Sequence, residues 1–476
     1  MIVFVNKTDQ NTGTSPTHPT VAPKIQFKSA NKSIQIEFTD QKLSPHAGTA
    51  TFWAFLHGSG WIELLEKCLP HSLPKSNNCL QPLCKALGFM QGLLCGAKKL
   101  TQVAYLRRDP MVPELVGIKR VASQSVLSRF FQGFSSAGGN LNCFRRLFGW
   151  CLERLPSRPG GYALDLDSTR LLHEDGHQQG VEVGYTRVGT KPCLHPLLAV
   201  FSEVRLVAGF WLRPGNCSCA NNVVNFFLDL WDNLPHHLHL RVVRADSGFC
   251  VGVLLMLWET LRLKFVVAAR LTRPLQGLIK KETAWQATEI PGTEVAEVEH
   301  REEGWPASAR LIVLRHRTAD KQGRTGGKML IDCPGYLYQG LVTNLPRTEQ
   351  PLAVWREYNG RAACENIIKE LDAGYGLPDF VCKDFWGTEA VLSLGVLAHN
   401  LVVLFERKLG WQEAATIGSL RYWLFVTAGV ISHAQGKTVI KLAVPPKERD
   451  WWQGLWEKLL SPFPNCNAVE NRPGLP

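Results

Sequence analysis

Apolar and polar positions change rhythm several times along the chain, and each change marks a segment. Residues 1–45 are polar and rich in Thr, Asn, Gln, Lys and Pro, a composition expected to be mostly mobile, although Ile34–Phe38 alternates like one short strand. Residues 46–156 turn helical, first through Phe52, Phe55, Leu56, Leu64 and Leu65, then over Leu87–Tyr105 after a Cys/Pro-rich loop. Pro156–Gly161 marks a boundary, after which strands appear. Tyr162–Thr169 alternates and ends on carboxylates, His195–Phe201 and Arg205–Trp211 read as two strands joined by a tight turn at Ser202–Val204, and Asn221–Asn233 is a helix. His239–Asp246 is a fourth strand ending on an acid, followed by a helix over Val251–Leu261 and a fifth strand over Lys264–Ala269.

From residue 272 to 346 the runs are short and β-like: Thr293–Glu299, Arg310–Arg315, Lys328–Ile331 and Gln339–Thr343. They read as a β-rich insertion between the fifth strand and a helix over Tyr358–Leu371, with residues 347–410 returning to the core. The apolar run Val391–Phe405 contains His399 and Asn400 and is short for a span, which favours a buried helix over a membrane helix. Residues 411–476 form a helical and basic tail, with Lys437, Lys441, Lys447 and Arg449, then Trp451, Trp452 and Trp456 at the spacing of a packing face.

Composition narrows the partner. The formal charge is +12 over 476 residues at ordinary hydrophobicity, so a polyanion is the first partner to consider, because Lys and Arg release counterions from phosphates. The 14 cysteines include no Cys-x-x-Cys pair, and Cys217-Ser-Cys219 is the closest spacing. That pattern disfavours a zinc site and fits the reduced thiols of a cytoplasmic protein. The polar, Thr/Pro-rich start is neither a signal peptide nor a transit helix.

Candidate chemistry sits at strand ends and on one helix. If the first and fourth strands are neighbours, Asp167 and Asp246 meet at their ends, and a helix packed across the sheet can add Glu365. Carboxylates clustered in this way repel one another, and hard divalent cations relieve that repulsion through oxygen ligands. Two such ions about 3.5–4 Å apart can activate a nucleophile and stabilise a leaving oxygen in phosphoryl transfer. An oxygen-only set fits Mg²⁺ or Mn²⁺. On the helix, Arg361, Glu365 and Lys369 fall on one face at four-residue steps with Tyr358 close above, which also describes an ordinary salt-bridge ladder. Further upstream, Lys119 and Arg120 precede a helix in which Ser123 is the N-cap and Gln124, Ser128 and Arg129 form a polar face over Val126, Leu127, Phe130 and Phe131. Those residues suit the second helix of a helix-turn-helix, or equally a capped surface helix.

Asp167-Ser-Thr169, Asp246-Ser-Gly-Phe249 and Tyr358-x-x-Arg361-x-x-x-Glu365, supported by Gly176-His-Gln178, His195-Pro-Leu-Leu198, Arg213-Pro-Gly-Asn216 and Glu365–Leu371, carry a resemblance over about residues 43–456. The chain resembles the DDE transposases of bacterial insertion sequences, in the superfamily with a Tyr-Arg-Glu-Lys signature. The resemblance implies an α/β fold with a ribonuclease-H-like catalytic core and a β-rich insertion, preceded by a helical DNA-binding region and followed by a helical tail. It implies cut-and-paste movement of a DNA element, with Asp167, Asp246 and Glu365 as ligands of two Mg²⁺ or Mn²⁺ ions and Tyr358 and Arg361 holding phosphate near the element end. Double-stranded DNA is the implied partner (terminal inverted repeats and target), bound by a homodimer in the bacterial cytoplasm with no membrane involved.

The family's lysine usually follows the glutamate by seven residues, where this chain has Asp372; Lys369, one turn after Glu365, is the substitute. Asp165, two residues before Asp167 on the same strand face, is the competing acid. His177 and His195 are expected to be structural, since hard cations favour oxygen, and Trp285 and Trp305 to pack. Two other readings stay open: a transposase-derived DNA-binding protein that does not cut, and a metal-dependent nuclease without strand transfer.

Overall fold

Ten of the strand runs between Tyr162 and Thr343 join one sheet in the computed structural model, which describes residues 25–462 except 30–31, 71–77, 175, 187, 319–327, 331–332 and 412. Its ten strands are β1 (Tyr162–Ser168), β2 (Leu197–Phe201), β3 (Leu206–Trp211), β4 (Leu240–Ala245), β5 (Phe265–Ala268), β6 (Gln286–Ala287), β7 (Thr293–Val298), β8 (Arg310–Arg317), β9 (Lys328–Leu330) and β10 (Cys333–Thr343). The order is β6-β7-β8-β10-β5-β4-β1-β2-β3, with β9 alongside β10. β4 runs parallel to both β1 and β5, while β2 is antiparallel to β1 and β3. A strand covered on both faces is buried along its length, and β1 is buried from Tyr162 to Asp167, its two aspartates included. Parallel neighbours need crossovers, which helices Val223–Asn233 and Gly252–Thr260 supply.

Several expectations are modified. The strands after residue 272 extend the central sheet, because β10 pairs with β5 as well as with β8. A helix not anticipated there, Arg273–Lys281, buries only Leu275 and Ile279, a stripe too short to stand out in the sequence. The expected strand from His195 begins at Leu197, and Gly189–Leu194 pairs instead with Glu182–Thr186 and Leu171–Leu172 in a small separate sheet. The tail, read as helical and basic, holds a hairpin of Gly429–Ala434 and Lys437–Leu442 paired to Leu43–Ser44. Gln435 and Gly436 both have positive φ, which gives the two-residue turn a twist that matches its strands. At the other end, Lys32–Ile36 pairs with Ile25–Ser29, while the Thr-rich residues 1–24 lie outside the described residues.

The helical region does not stand apart from the sheet. Phe52 and Phe55 each meet the Phe405 ring at 5.8 Å, and Phe89 lies 5.2 Å from both Phe131 and Phe380. All belong to one hydrophobic core. The helix Phe385–Lys408 is long and apolar enough to cross a membrane, yet its apolar window is 100% buried inside the fold. It packs beside β3, where the Asn400 side chain accepts from the Val207 N–H at 2.9 Å and donates to its carbonyl at 2.7 Å. One edge of the sheet is thereby closed.

Candidate active site

Register brings the two aspartates together. Asp165 lies opposite Arg244 and Leu166 opposite Ala245, so one step further sets Asp167 beside Asp246 at the carboxyl ends of β1 and β4. Side chains alternate along a strand, so Asp165, Asp167, Arg244 and Asp246 share one face. That face carries the glutamate helix. Arg244 donates to both oxygens of Asp165 at 2.6 and 2.8 Å, and to the carbonyl and carboxylate of Glu357 at 2.9 and 3.1 Å. Ser202 Oγ also donates to Asp165. The competing acid is therefore consumed in a buried ion pair that fixes the helix to the sheet, and Asp167 is the aspartate left to meet Arg361.

The expected continuous helix is interrupted. It runs as Pro351–Asn359 and then Ala362–Lys369, with Gly360 and Arg361 between. The Arg361 N–H donates to the Tyr358 carbonyl at 3.0 Å and the Cys364 N–H to the Arg361 carbonyl at 2.9 Å, so the turn is tightened to three-residue bonds. A Cβ on Gly360 would collide with Arg244 Nη1, so a side chain at 360 would displace the anchor. At the interruption, buried Arg361 places Nη2 2.7 Å from Asp167 Oδ2. Its Nε is buried without an acceptor, leaving one edge of the fork open to a further oxygen. The Tyr358 phenol lies against Arg361 and feels the charges of Asp246 and Asp167; burial raises its pKa above the ordinary phenol value. Cys364 packs beside Asp167, and burial holds its thiol well above the usual range.

Burial, together with the charges of Asp246 and Glu365, pushes Asp167 up to about 6 against the pull of Arg361. Asp246 and Glu365 thus both act on Asp167, with the Arg361 guanidinium opposing them. Among the described residues no three acids, histidines or cysteines close into a ready metal cluster. The donor chemistry nevertheless fits a hard divalent cation, being all oxygen and in excess of positive charge. Asp246 is half-buried, its carboxylate capping the turn Ser247–Phe249 by accepting from Gly248 N at 2.8 Å, while Glu365 is exposed on the helix. His195 supports β1, with Nε2 2.9 Å from Ser168 Oγ and Nδ1 2.9 Å from the Cys217 carbonyl. Burial and neighbouring Arg213 lower its pKa to about 3, so it is neutral and structural.

Comparison with known families places the chain. The family described as Transposase DDE domain group 1 matches residues 27–460. The chain belongs to that DDE transposase family. No curated protein sequence matches it. A solved piggyBac transposase synaptic complex with hairpin DNA aligns at 10% identity over 81% of each chain with a TM-score of 0.43, a likeness too distant to bear weight.

In this DDE transposase the other expected positions are spread over two surfaces. Lys369 is exposed one turn after Glu365, outside any ion pair among the described residues. Lys119, Arg120, Gln124 and Arg129 are exposed on and before the helix Gln124–Gln132, whose Leu127, Phe130 and Phe131 are buried as the pattern required. They are not brought to the carboxylates. Arg120 donates to the Asn78 carbonyl at 2.7 Å. Ser123 precedes the helix in extended backbone without a capping side-chain bond, its hydroxyl turning to Ser125 instead. His177 is exposed, Trp305 is buried, and half-buried Trp285 stacks on the Arg315 guanidinium at 4.1 Å. Two residues near the carboxylates escaped the sequence reading. Arg244 is one, legible only as a cation two residues before Asp246. Arg270 is the other; it is exposed after β5, and its guanidinium donates to the Ser247 and Gly248 carbonyls beside Asp246.

Proposed function

We propose that this protein cuts DNA at the ends of an insertion sequence and joins them to a target, with Asp167, Asp246 and Glu365 as the reaction centre. The observation carrying the proposal is the juxtaposition of Asp167 and Asp246 at adjacent ends of parallel strands, beneath a helix that delivers Arg361 and the charge of Glu365. The order β3-β2-β1-β4-β5, with β2 alone reversed, supports reading this part of the sheet as a ribonuclease-H-like core. Placement in the bacterial superfamily with the Tyr-Arg-Glu-Lys signature rests on the matching residues, with Lys369 for the displaced lysine. A homodimer on double-stranded DNA in the cytoplasm completes the proposal.

Asp167, Asp246 and Glu365 would hold two Mg²⁺ or Mn²⁺ ions, which supply Lewis acidity at the phosphoryl oxygens when bound. Arg361, with Nη2 on Asp167 and Nε unpaired, is set to donate to a phosphate oxygen beside the acids. Tyr358 adds a phenol donor on the same side. Arg244 and Asp165 keep the helix seated, and His195 steadies β1 through Ser168. Lys119, Arg120, Gln124 and Arg129 form a separate exposed surface for duplex recognition.

Incubating the protein with a duplex carrying the inverted repeats that flank its gene, target plasmid and Mg²⁺ tests the proposal. It requires cuts at the repeat ends and joined products. Binding without cuts would give the non-cutting reading, and cuts without joining the nuclease reading.

A further inference from the structure

A cleft of about 600 Å³ opens between the helix Ala137–Leu152, β3, the helix Val223–Asn233 and the helix Phe385–Lys408, away from the carboxylates. Its walls include the aromatic side chains Phe144, Trp211, Phe226 and Trp386, and the buried polar groups Asn140 and Glu389 lie within it. Glu389 Oε1 accepts from the Leu212 N–H at 3.0 Å and Oε2 from Asn140 Nδ2 at 2.8 Å. Asn140 Nδ2 donates also to the Trp386 carbonyl at 2.9 Å, which fixes the amide orientation because that partner is an acceptor only. Asn140 Oδ1 is left buried and unpartnered, and Asn140 is 3% exposed.

Glu389 is also unbalanced. Among the described residues it joins no ion pair, although it is 8% exposed. The charged groups facing the cleft are engaged elsewhere: Arg145 pairs with Asp229 at 3.5 Å, and Arg213 donates to the carbonyls of Ser218 and Asn221 at 2.7 and 2.8 Å. A buried carboxyl with no cation and an amide oxygen with no donor ask for the same thing, a donor bearing positive charge. The aromatic walls ask for an apolar body and are themselves suited to a cation.

We propose that this cleft is a binding site for a primary ammonium ion carrying an aromatic group, with the ammonium donating to Glu389 and Asn140 Oδ1. It depends on no step of DNA cleavage. Burial alone already raises the Glu389 carboxyl above its ordinary range, so ligand binding should draw its proton off and tighten as pH rises.

Phenethylamine and its neutral counterpart phenethyl alcohol, titrated separately into the full chain, test the proposal by heat release and by tryptophan fluorescence from Trp211 and Trp386. The amine is expected to bind at least about tenfold more tightly than the alcohol, with affinity rising as pH is raised. Glu389→Gln removes the amine's advantage and leaves the alcohol unchanged. Leu141→Trp, which fills the cleft from its lining, abolishes binding of both and keeps the test intact should Glu389→Gln fail to fold. Equal binding of the two probes, an amine affinity indifferent to Glu389→Gln or Leu141→Trp, or no heat from either probe up to about 10 mM would each overturn the proposal.

Discussion

Arg361 is the residue at which a salt-bridge ladder and a phosphate clamp make opposite forecasts. It lies in a buried pair with Asp167, and removing one partner of such a pair costs about 3–5 kcal/mol. Arg361→Ala therefore loses stability under either reading and cannot discriminate. Arg361→Lys keeps the charge but not the planar fork, so cleavage should drop about tenfold or more while end binding and the melting temperature change little. Normal cleavage per folded molecule in this variant would return the residue to a structural role. His195 supplies a second forecast. Its folded pKa, about 3, lies below the unfolded value near 6.5, so its contribution to stability is complete above about 6.5 and is lost as pH falls below that. Melts from about pH 7 to 4 should show this loss, and His195→Gln should reduce the slope; an unchanged slope would mean another group dominates. The pairing of Arg361 with Asp167 was not legible in the sequence, because residues 194 positions apart meet only through helix packing on the sheet. Asp167 and Asp246 themselves were legible as candidates, since each closes an apolar strand run.

The glutamate helix shows what periodicity can and cannot specify. Its face was readable from four-residue steps, but the tightened turn at Gly360–Arg361 follows from Arg244 passing beneath a residue without a side chain. Gly360→Ala should then displace Arg244, costing about 1–3 kcal/mol as overpacking does, and cleavage should fall with it. A variant with wild-type melting and cleavage would show that the anchor tolerates a methyl group. The same limit explains the missed hairpin at Gly429–Leu442. Its turn residues, Gln435-Gly436, lack the Asn or Asp that usually announces such a turn, and its third strand, Leu43–Ser44, comes from the opposite end of the chain.

At the scale of the whole molecule, the helical region and the sheet share one core through Phe52, Phe89 and Phe405, and Asn140 joins them at Glu389. A fragment ending near Pro156 should consequently fail to fold alone, giving broad, uncooperative melting; a sharp transition with sequence-selective DNA binding would show an independent domain. The composition change at Pro156–Gly161 marked where strands begin, not where the core ends. The central claim concerns three acids held by β1, β4 and the glutamate helix. Cleavage and binding of end-containing duplex, measured side by side for Asp167→Asn, Asp246→Asn and Glu365→Gln with Mg²⁺, test it most directly. Each variant should lose cleavage by about a thousandfold or more, as when catalytic groups acting as a unit are removed, while binding stays within about threefold of wild type. Cleavage at the wild-type rate by any one of them would contradict the assignment.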